Sequence, residues 1–254
     1  MFGMKHLRSF APLRASAFGT PMRTVKFHDL GLTDHVTAYE LNMRLYREML
    51  DRKTANHDLA EEALVQTQDH VVLCEVSPTI TTGEEGSTEF LLRSPEELSE
   101  LGIALFRTGR GGDISFHGPG QLLCSGIFDL EHHGHSLVGY IHQLEQVMID
   151  VLLTYGIHGE RIHKMNGVWL DADDPKSIRK ICTLGVQAER WVTVQGVGLN
   201  VSTDLSYYQH LVLCGMADKG ITSMEKELGR AVNMSEVKER LIASIGTVYG
   251  VSVV

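Results

Sequence analysis

Three stretches of the chain place apolar residues three and four positions apart, the spacing of a helix that buries one face. Their apolar faces are Val36, Tyr39, Met43, Tyr46 and Leu50; Leu137, Tyr140, Leu144, Val147, Val151 and Leu152; and Val237, Leu241, Ile245 and Val248. Ser136 precedes the second stretch and Asn233 precedes the third, so both have a residue that commonly caps a helix. Ser94-Pro95 followed by Glu97 predicts the start of a fourth, shorter helix.

Short apolar runs bounded by turn residues predict strands. They cover residues 71–76, 103–107, 122–130, 167–170, 181–188, 191–194 and 197–201. Several of these runs follow one another with no helix between them, which indicates antiparallel pairing in part of the sheet. No linker, repeat or low-complexity tract divides the chain. We therefore predict one mixed α/β domain over residues 22–254, with a partly antiparallel sheet flanked by helices.

Charge and composition exclude several classes of function. The chain has 254 residues and a net charge of −9, with no basic run interleaved with aromatic residues, so nucleic-acid binding is not expected. No stretch approaches the roughly 18 apolar residues of a membrane-spanning helix, so a membrane partner is not expected either. Four cysteines without a CxxC pair indicate neither a zinc ribbon nor a disulfide scaffold, and they fit a reducing cytoplasm.

The first 21 residues contain Lys5, Arg8 and Arg14 and no acidic residue. A basic, acid-poor segment is typical of an organelle-targeting leader, which would make the protein mitochondrial. Few serines and little amphipathic pattern favour the other interpretation, in which Met22 is the working start and the protein is cytoplasmic. In both cases we expect residues 1–21 to be disordered.

Residues 110–121 combine four glycines and a proline with Arg110 and His117. Such a segment bends sharply and exposes backbone amides beside a cation and an imidazole, which suits the lining of a small-molecule site. A plain tight loop is the alternative that this cluster alone leaves open.

Cys214 stands at the end of an apolar run, just before Gly215, where a side chain can face a cleft. A nucleophilic cysteine must be a thiolate, so it needs a basic or cationic neighbour. Lys180, at the entry of an apolar run, and His117 are the two candidates. The ordinary alternatives are a half-buried thiol, a solvated lysine beside a strand, and a loop histidine that only orients backbone.

The remaining cysteines and a histidine cluster predict no chemistry. Cys74, Cys124 and Cys182 lie in strand-like runs, so we expect small buried hydrophobic side chains. His132, His133 and His135 have no acid or cysteine at metal-ligand spacing, and we expect a solvated loop there. Gly196 and Gly198 lie in a strand-like run, where glycine indicates a β-bulge or the close approach of a backbone or a ligand.

Three blocks in this order carry a family resemblance. They are Arg110-Gly111-Gly112-Asp113-Ile114-Ser115-Phe116-His117-Gly118-Pro119-Gly120-Gln121; residues 180–186 with residues 196–201; and Cys214-Gly215-Met216 with residues 220–223. The chain resembles the lipoyl(octanoyl) transferases, with the first block similar to their RGGxxTYHGPGQ signature. It departs from the family pattern at Ser115, Phe116, Gln195 and Gly198, and Gly83 is followed by an acidic rather than a basic residue.

The resemblance implies the fold of the biotin and lipoate protein ligase catalytic domain and an acyltransferase activity. An octanoyl (or lipoyl) group would pass from acyl carrier protein to Cys214, and then to the target lysine of a lipoyl domain. Lys180 would favour the Cys214 thiolate, as a base or as a nearby cation, and Lys180 or His117 could accept the proton of the attacking amine. No cofactor and no metal are implied.

The resemblance also implies which residues line the acyl pocket. They are Arg110, Gly111, Gly112, Asp113, Ile114, Ser115, Phe116, His117, Thr183, Leu184, Gly185, Gly196, Val197 and Gly198. The implied protein partners are the octanoyl-acyl carrier protein as donor, and the lipoyl domains of 2-oxoacid dehydrogenases and the glycine cleavage H protein as acceptors. We expect a monomer with a local basic rim that includes Arg107 and Arg110, because the partners are usually acidic.

Two alternatives belong to other classes of protein. An ATP-dependent lipoate or biotin ligase of the same fold would activate a free acid as an adenylate and would not need Cys214. A binding module for acyl carrier protein or lipoyl domains would tolerate loss of Cys214 with binding intact. The cysteine and the His-Gly-Pro-Gly run favour the transferase.

Overall fold

Residues 23–60, 63–84, 86–212 and 219–254 are described by a computed structural model. The predicted N-terminal extension, residues 1–21, and the predicted nucleophile Cys214 lie outside the described residues. Within the described part of the chain, no helix combines the length and the apolar character needed to cross a bilayer.

Strands and helices are mixed along the described part of the chain. The strands are β1 (Thr24–Thr33), β2 (Asp69–Val76), β3 (Thr79–Thr82), β4 (Ala104–Arg107), β5 (Ile114–His117), β6 (Gln121–Ile127), β7 (Glu160–Ile162), β8 (Met165–Leu170), β9 (Arg179–Glu189), β10 (Val192–Asn200), β11 (Gly220–Ile221) and β12 (Ser252–Val253). The α-helices are α1 (His35–Asn56), α2 (Pro95–Glu100), α3 (Leu130–His133), α4 (Leu137–Leu153), α5 (Met224–Leu228) and α6 (Met234–Tyr249). Single 3-10 segments cover Thr88–Phe90 and Leu205–His210.

The main sheet has the order β12-β1-β2-β6-β10-β9-β8-β7, and β11 pairs with β9. The pairs of β1 with β12, β1 with β2 and β9 with β11 are parallel, whereas β2-β6-β10-β9-β8-β7 is antiparallel throughout. The predicted mixed, partly antiparallel sheet is therefore confirmed.

A second, smaller sheet has the order β4-β3-β5. It joins the main sheet through two short turns, Ser77-Pro78 before β3 and Gly118-Pro119-Gly120 after β5. The strand β5 lies inside the segment that was predicted as a loop. That prediction was wrong for residues 114–117, because Ile114 and Phe116 bury their side chains in the core of the small sheet.

Helices cover both faces of the main sheet. On one face α1 packs against β2 and β10, and on the other α4 and α6 pack together over the largest apolar core. The predicted caps Ser94, Ser136 and Asn233 are confirmed, and Ser94 with Glu97 forms a complete capping box. On α1 the predicted face was partly wrong: Val36 is exposed, and the buried side includes Asn42 instead.

The two runs predicted over residues 191–194 and 197–201 form the single strand β10. Trp191 lies outside it, since Arg190 and Trp191 both have positive φ in the tight turn that joins β9 to β10. Two central residues of positive φ are the geometry of a type I′ hairpin, whose twist matches that of the strands. The ladder continues through Gln195, although its φ is +67°.

The expected solvation of the histidine cluster is confirmed only for the exposed His132, which lies with His133 in the short helix α3 and not in a loop. His133 is buried, and its Nε2 lies 2.8 Å from Asp69 Oδ2. Asp69 also accepts from the backbone N–H of Asp129, a carboxylate whose side chain is 2% exposed. Lys53 of α1 donates to Asp129 Oδ1 at 2.6 Å. This buried pair joins the last turn of α1 to the end of β6, because a buried carboxylate requires a partner.

Candidate active site

A pocket that opens to solvent lies between α1, the small sheet and the main sheet. Most of the predicted site residues of the described chain line it: Arg110, Gly112, Ile114, Ser115, His117, Lys180, Thr183, Leu184, Gly185, Gly196, Val197 and Gly198. The sequence blocks that carry the resemblance are thus brought together in space, as far as they are described.

Three predicted lining residues lie elsewhere. Phe116 is fully buried in the core of the small sheet, where its ring stacks on Tyr207 with 4.7 Å between centroids. Asp113 Oδ1 accepts from the backbone N–H of Ser87. Gly111 donates its N–H to the carbonyl of Val186, which fixes the glycine-rich loop on β9. The contacts of these residues hold the glycine-rich loop and the small sheet in place.

Sequence reasoning missed one wall of the pocket. His35, Tyr39 and Asn42 face it from successive turns of α1, and Cys74 and Ser125 face it from β2 and β6. Asn42 donates to Ser125 Oγ at 3.0 Å. The signal was present, since a polar Asn42 within an otherwise apolar helix face is unusual unless it meets a polar partner.

Lys180 is a buried lysine at the pocket. Its Nζ donates to the carbonyl of Asn166 at 3.1 Å and lies 4.5 Å from the centre of the Trp169 ring. Burial disfavours an ammonium, whereas a carbonyl and an aromatic face favour it. These contacts hold the amine in one position, which is what a group that acts on a reacting atom requires.

Gly167 allows β8 to lie close beside Lys180. A Cβ at this position would sit 2.3 Å from the carbonyl oxygen of Cys182 and 3.6 Å from Lys180 Cε, and the φ of Gly167 is +111°. Its N–H donates to the buried carboxylate of Glu145. Only glycine fits here, so the strand that carries Trp169 can approach the lysine.

Arg110 turns inward, away from solvent. Its Nη2 donates to both the carbonyl and the hydroxyl of Thr81 at 2.9 Å, and to the carbonyl of Asp113 at 3.1 Å. A guanidinium held in this way closes the glycine-rich loop onto the small sheet. The predicted basic rim is therefore wrong for Arg110, while Arg107 is exposed.

His117 is bonded at both ring nitrogens. Its Nδ1 lies 2.7 Å from Gln121 Oε1, and its Nε2 lies 3.1 Å from Thr81 Oγ1. Gln121 in turn donates Nε2 to Asn200 Oδ1 at 2.9 Å, and Asn200 donates Nδ2 to the carbonyl of Thr222 at 3.0 Å. Thr222 donates its N–H to the carbonyl of Lys180. A row of buried polar groups thus connects Arg110 to the strand of Lys180.

The position of each proton in this row follows from the groups at its two ends, the Thr222 carbonyl and the Arg110 guanidinium. The Thr222 carbonyl can only accept, so the amide nitrogen of Asn200 faces it and the oxygen of Asn200 faces Gln121. Gln121 therefore presents its oxygen to His117, and the imidazole carries its proton on Nδ1. At the other end Arg110 can only donate, so the Thr81 hydroxyl accepts from Arg110 and donates to His117 Nε2.

Burial keeps the imidazoles of the pocket neutral. Desolvation, with help from His35 and Arg110, lowers the pKa of His117 to about 3. Desolvation and Arg110 lower the pKa of His35 to about 4. With its Nε2 lone pair bonded to Thr81 and its pKa this low, His117 is a poor proton acceptor, and Lys180 is the better of the two predicted candidates.

Burial disfavours the thiolate form of the described cysteines. Cys74 lines the pocket, but burial raises the pKa of its thiol to about 12. Burial raises the pKa of Cys182 as well. Both thiols stay protonated at neutral pH, so the prediction that Cys74, Cys124 and Cys182 are small buried side chains is confirmed.

The low pKa of His35 predicts acid sensitivity. Between pH 6.5 and about 4 the unfolded chain protonates this imidazole and the folded chain does not. The free energy of unfolding should therefore decrease as the pH falls, by about 1.4 kcal/mol per pH unit for this group. Urea unfolding at pH 7, 6 and 5 should show that H35F loses stability less steeply than the wild type. Parallel pH profiles for the two proteins would contradict this.

Comparison with known proteins assigns the family. The profile described as the lipoyl protein ligase A/B catalytic domain matches residues 39–246. An octanoyltransferase from Cytophaga hutchinsonii is 37% identical over 227 residues, which are 89% of this chain and 93% of the relative. An octanoyltransferase from Bacteroides fragilis is 41% identical over 199 residues, 77% of this chain and 90% of the relative. The chain belongs to the octanoyltransferases of the lipoyl protein ligase A/B family.

Solved structures of the wider family share the fold. A bipartite lipoate protein ligase from Thermoplasma acidophilum superposes with a TM-score of 0.66 at 13% identity, covering 92% of this chain and 86% of the other. Lipoate-protein ligase A bound with ATP gives 0.63 at 14% identity, covering 91% and 87%. The fold that the sequence resemblance implied is confirmed.

Proposed function

We propose that this octanoyltransferase moves an octanoyl group from acyl carrier protein to the target lysine of lipoyl domains, through a thioester on Cys214. Lys180 is the group that activates the cysteine. The observation that carries the proposal is the buried Lys180, held by Asn166 and Trp169 at the pocket built by the glycine-rich segments.

In the first step the Cys214 thiolate attacks the thioester carbonyl of octanoyl-acyl carrier protein. The new carbon–sulfur bond forms on Cys214, and the thiol of the carrier leaves. The proton that Cys214 gives up passes to Lys180 and then to the departing sulfur. One thioester replaces another, so the exchange needs no ATP.

In the second step the neutral amine of the lipoyl-domain lysine attacks the thioester on Cys214. The amide forms, the cysteine leaves as a thiolate, and the amine proton passes to Lys180 or to the thiolate itself. The product is an amide, which is more stable than the thioester. The acceptors we propose are the lipoyl domains of 2-oxoacid dehydrogenases and the glycine cleavage H protein.

The described residues that flank Cys214 in the sequence support this assignment. Before it, Val212 donates its N–H to the carbonyl of Phe90, beside the small sheet. After it, Gly220 pairs with Arg179 and Ile221 with Lys180 in β11. Gly220 follows Cys214 by six positions, which span at most about 20 Å when extended, so contact with Lys180 is geometrically possible.

An ATP-dependent ligase is the less favoured activity. Its solved representatives share only the fold with this chain, at identities near 13%. The relatives at 37–41% identity carry the name octanoyltransferase. Transfer from octanoyl-acyl carrier protein to a lipoyl domain without ATP is the expected behaviour.

Intact-mass spectrometry tests the covalent step. After incubation with octanoyl-acyl carrier protein, the wild type should gain one octanoyl group that hydroxylamine removes, and C214S should gain none. C74S is the matched control: its thiol also lies at the pocket but stays protonated, so this variant should still be acylated. An adduct that persists in C214S would refute Cys214 as the nucleophile.

A further inference from the structure

Gln121 lies at the centre of the row of hydrogen-bonded polar groups that connects Arg110 to the backbone of Lys180. This side chain is fully buried, and it meets His117, the carbonyl of Phe116, Asn200 and Tyr208. Its oxygen accepts from His117. The two hydrogens of its Nε2 are shared among three acceptors within 3.2 Å: the Phe116 carbonyl, Asn200 Oδ1 and the Tyr208 hydroxyl. A primary amide can present an acceptor to the imidazole and donors to Asn200 from the same point.

Gln121 itself does not line the pocket, but both of its neighbours in the row act on groups that do. Through His117 it orients the Thr81 hydroxyl, which accepts a hydrogen bond from Arg110. Through Asn200 and Thr222 it holds β11 against the backbone of Lys180. One amide thus sets the positions of the loop wall and of the activating lysine.

We propose that Gln121 is a positioning residue for acyl transfer. It fixes the Nδ1–H form of His117 and so the Thr81 hydroxyl that accepts from Arg110, and through Asn200 it holds β11 against the backbone of Lys180. This inference rests on the proposed octanoyl transfer. It assigns no contact with substrate to Gln121. Its effect should appear in kcat rather than in KM, because misplacing a catalytic group weakens the transition state more than the bound substrate.

Three variants test the proposal. Q121M keeps the length of the side chain and removes its hydrogen bonds. Q121E keeps the acceptor for His117 Nδ1 but faces Asn200 Oδ1 with a second acceptor. Q66E adds the same charge at an exposed glutamine and serves as the control.

Nitrogen NMR of the His117 ring and steady-state kinetics are the two readouts. In Q121M both ring tautomers of His117 should appear, with kcat reduced about ten-fold or more and KM for octanoyl-acyl carrier protein within about two-fold. In Q121E the new carboxylate should favour the imidazolium and add an ionisation to the pH profile of kcat. The charged or titratable groups that face His117 from the packed elements are Arg110 and His35, and neither changes in this variant.

Two results would overturn the proposal. One is a kcat of wild-type size in Q121M although the tautomers of His117 have changed. The other is a lower kcat in both variants with the His117 ring spectrum unchanged, since the loss would not pass through the imidazole. If the wild type forms no acyl-enzyme at all, the proposed function fails, while the NMR readout still tests the row by itself. Q121E, the closest isostere, serves where Q121M does not fold.

Discussion

K180Q should lower kcat for octanoyl transfer by about 10²- to 10⁴-fold, the range that a positioned proton-transfer group contributes. The pocket and its walls remain, so KM for the acyl donor should change little. K180R should not restore activity, because a guanidinium does not release a proton near neutral pH. Single-turnover acylation of Cys214, followed by mass spectrometry, measures the step directly.

K176Q is the control for this experiment, because Lys176 is exposed on the loop before β9. It should acylate at the wild-type rate. Wild-type acylation by K180R would show that Lys180 acts only as a cation. Wild-type acylation by K180Q would remove the lysine from the mechanism.

K53M should destabilise the fold by about 3 kcal/mol or more, because it leaves the buried carboxylate of Asp129 without its cation. Lys53 lies in the last turn of α1, so the loss also frees the helix that forms one wall of the pocket. Urea unfolding at pH 7 measures the change.

The matched variant for this pair is K238M. Lys238 bonds to Asp29, whose side chain is 38% exposed, so water replaces the lost cation and the cost should stay below about 1 kcal/mol. Equal losses in K53M and K238M would show that burial of Asp129 does not govern the effect.

The sequence predicted those elements whose burial repeats with a regular period. Residues Val147 and Val151 on α4 and Leu241 and Ile245 on α6 are buried as the helical spacing requires. The strand β5 was not predicted, because glycines flank its four residues. Its burial also depends on contact with Tyr207, about ninety positions away in the chain. Such contacts cannot be read from a local pattern.

The candidate site was predicted mainly by family motifs, and the structure adds the parts that depend on distant partners. Gln121 and Asn200 are 79 positions apart, and Asn42 and Ser125 are 83 apart. Periodicity placed Met43 and Tyr46 of α1 inside, but it says nothing about which surface the helix meets. The role of α1 as a pocket wall therefore became visible only in the fold.

In the row every side chain donates in the same sense, from the Arg110 guanidinium through Thr81, His117, Gln121 and Asn200 to the carbonyl of Thr222. Aligned bonds polarise one another, and a fixed donor at one end with a fixed acceptor at the other leaves one allowed order of protons. No member can rotate alone without setting two donors or two acceptors face to face. A flip of one amide or of the imidazole therefore requires its neighbours to reorient together with it.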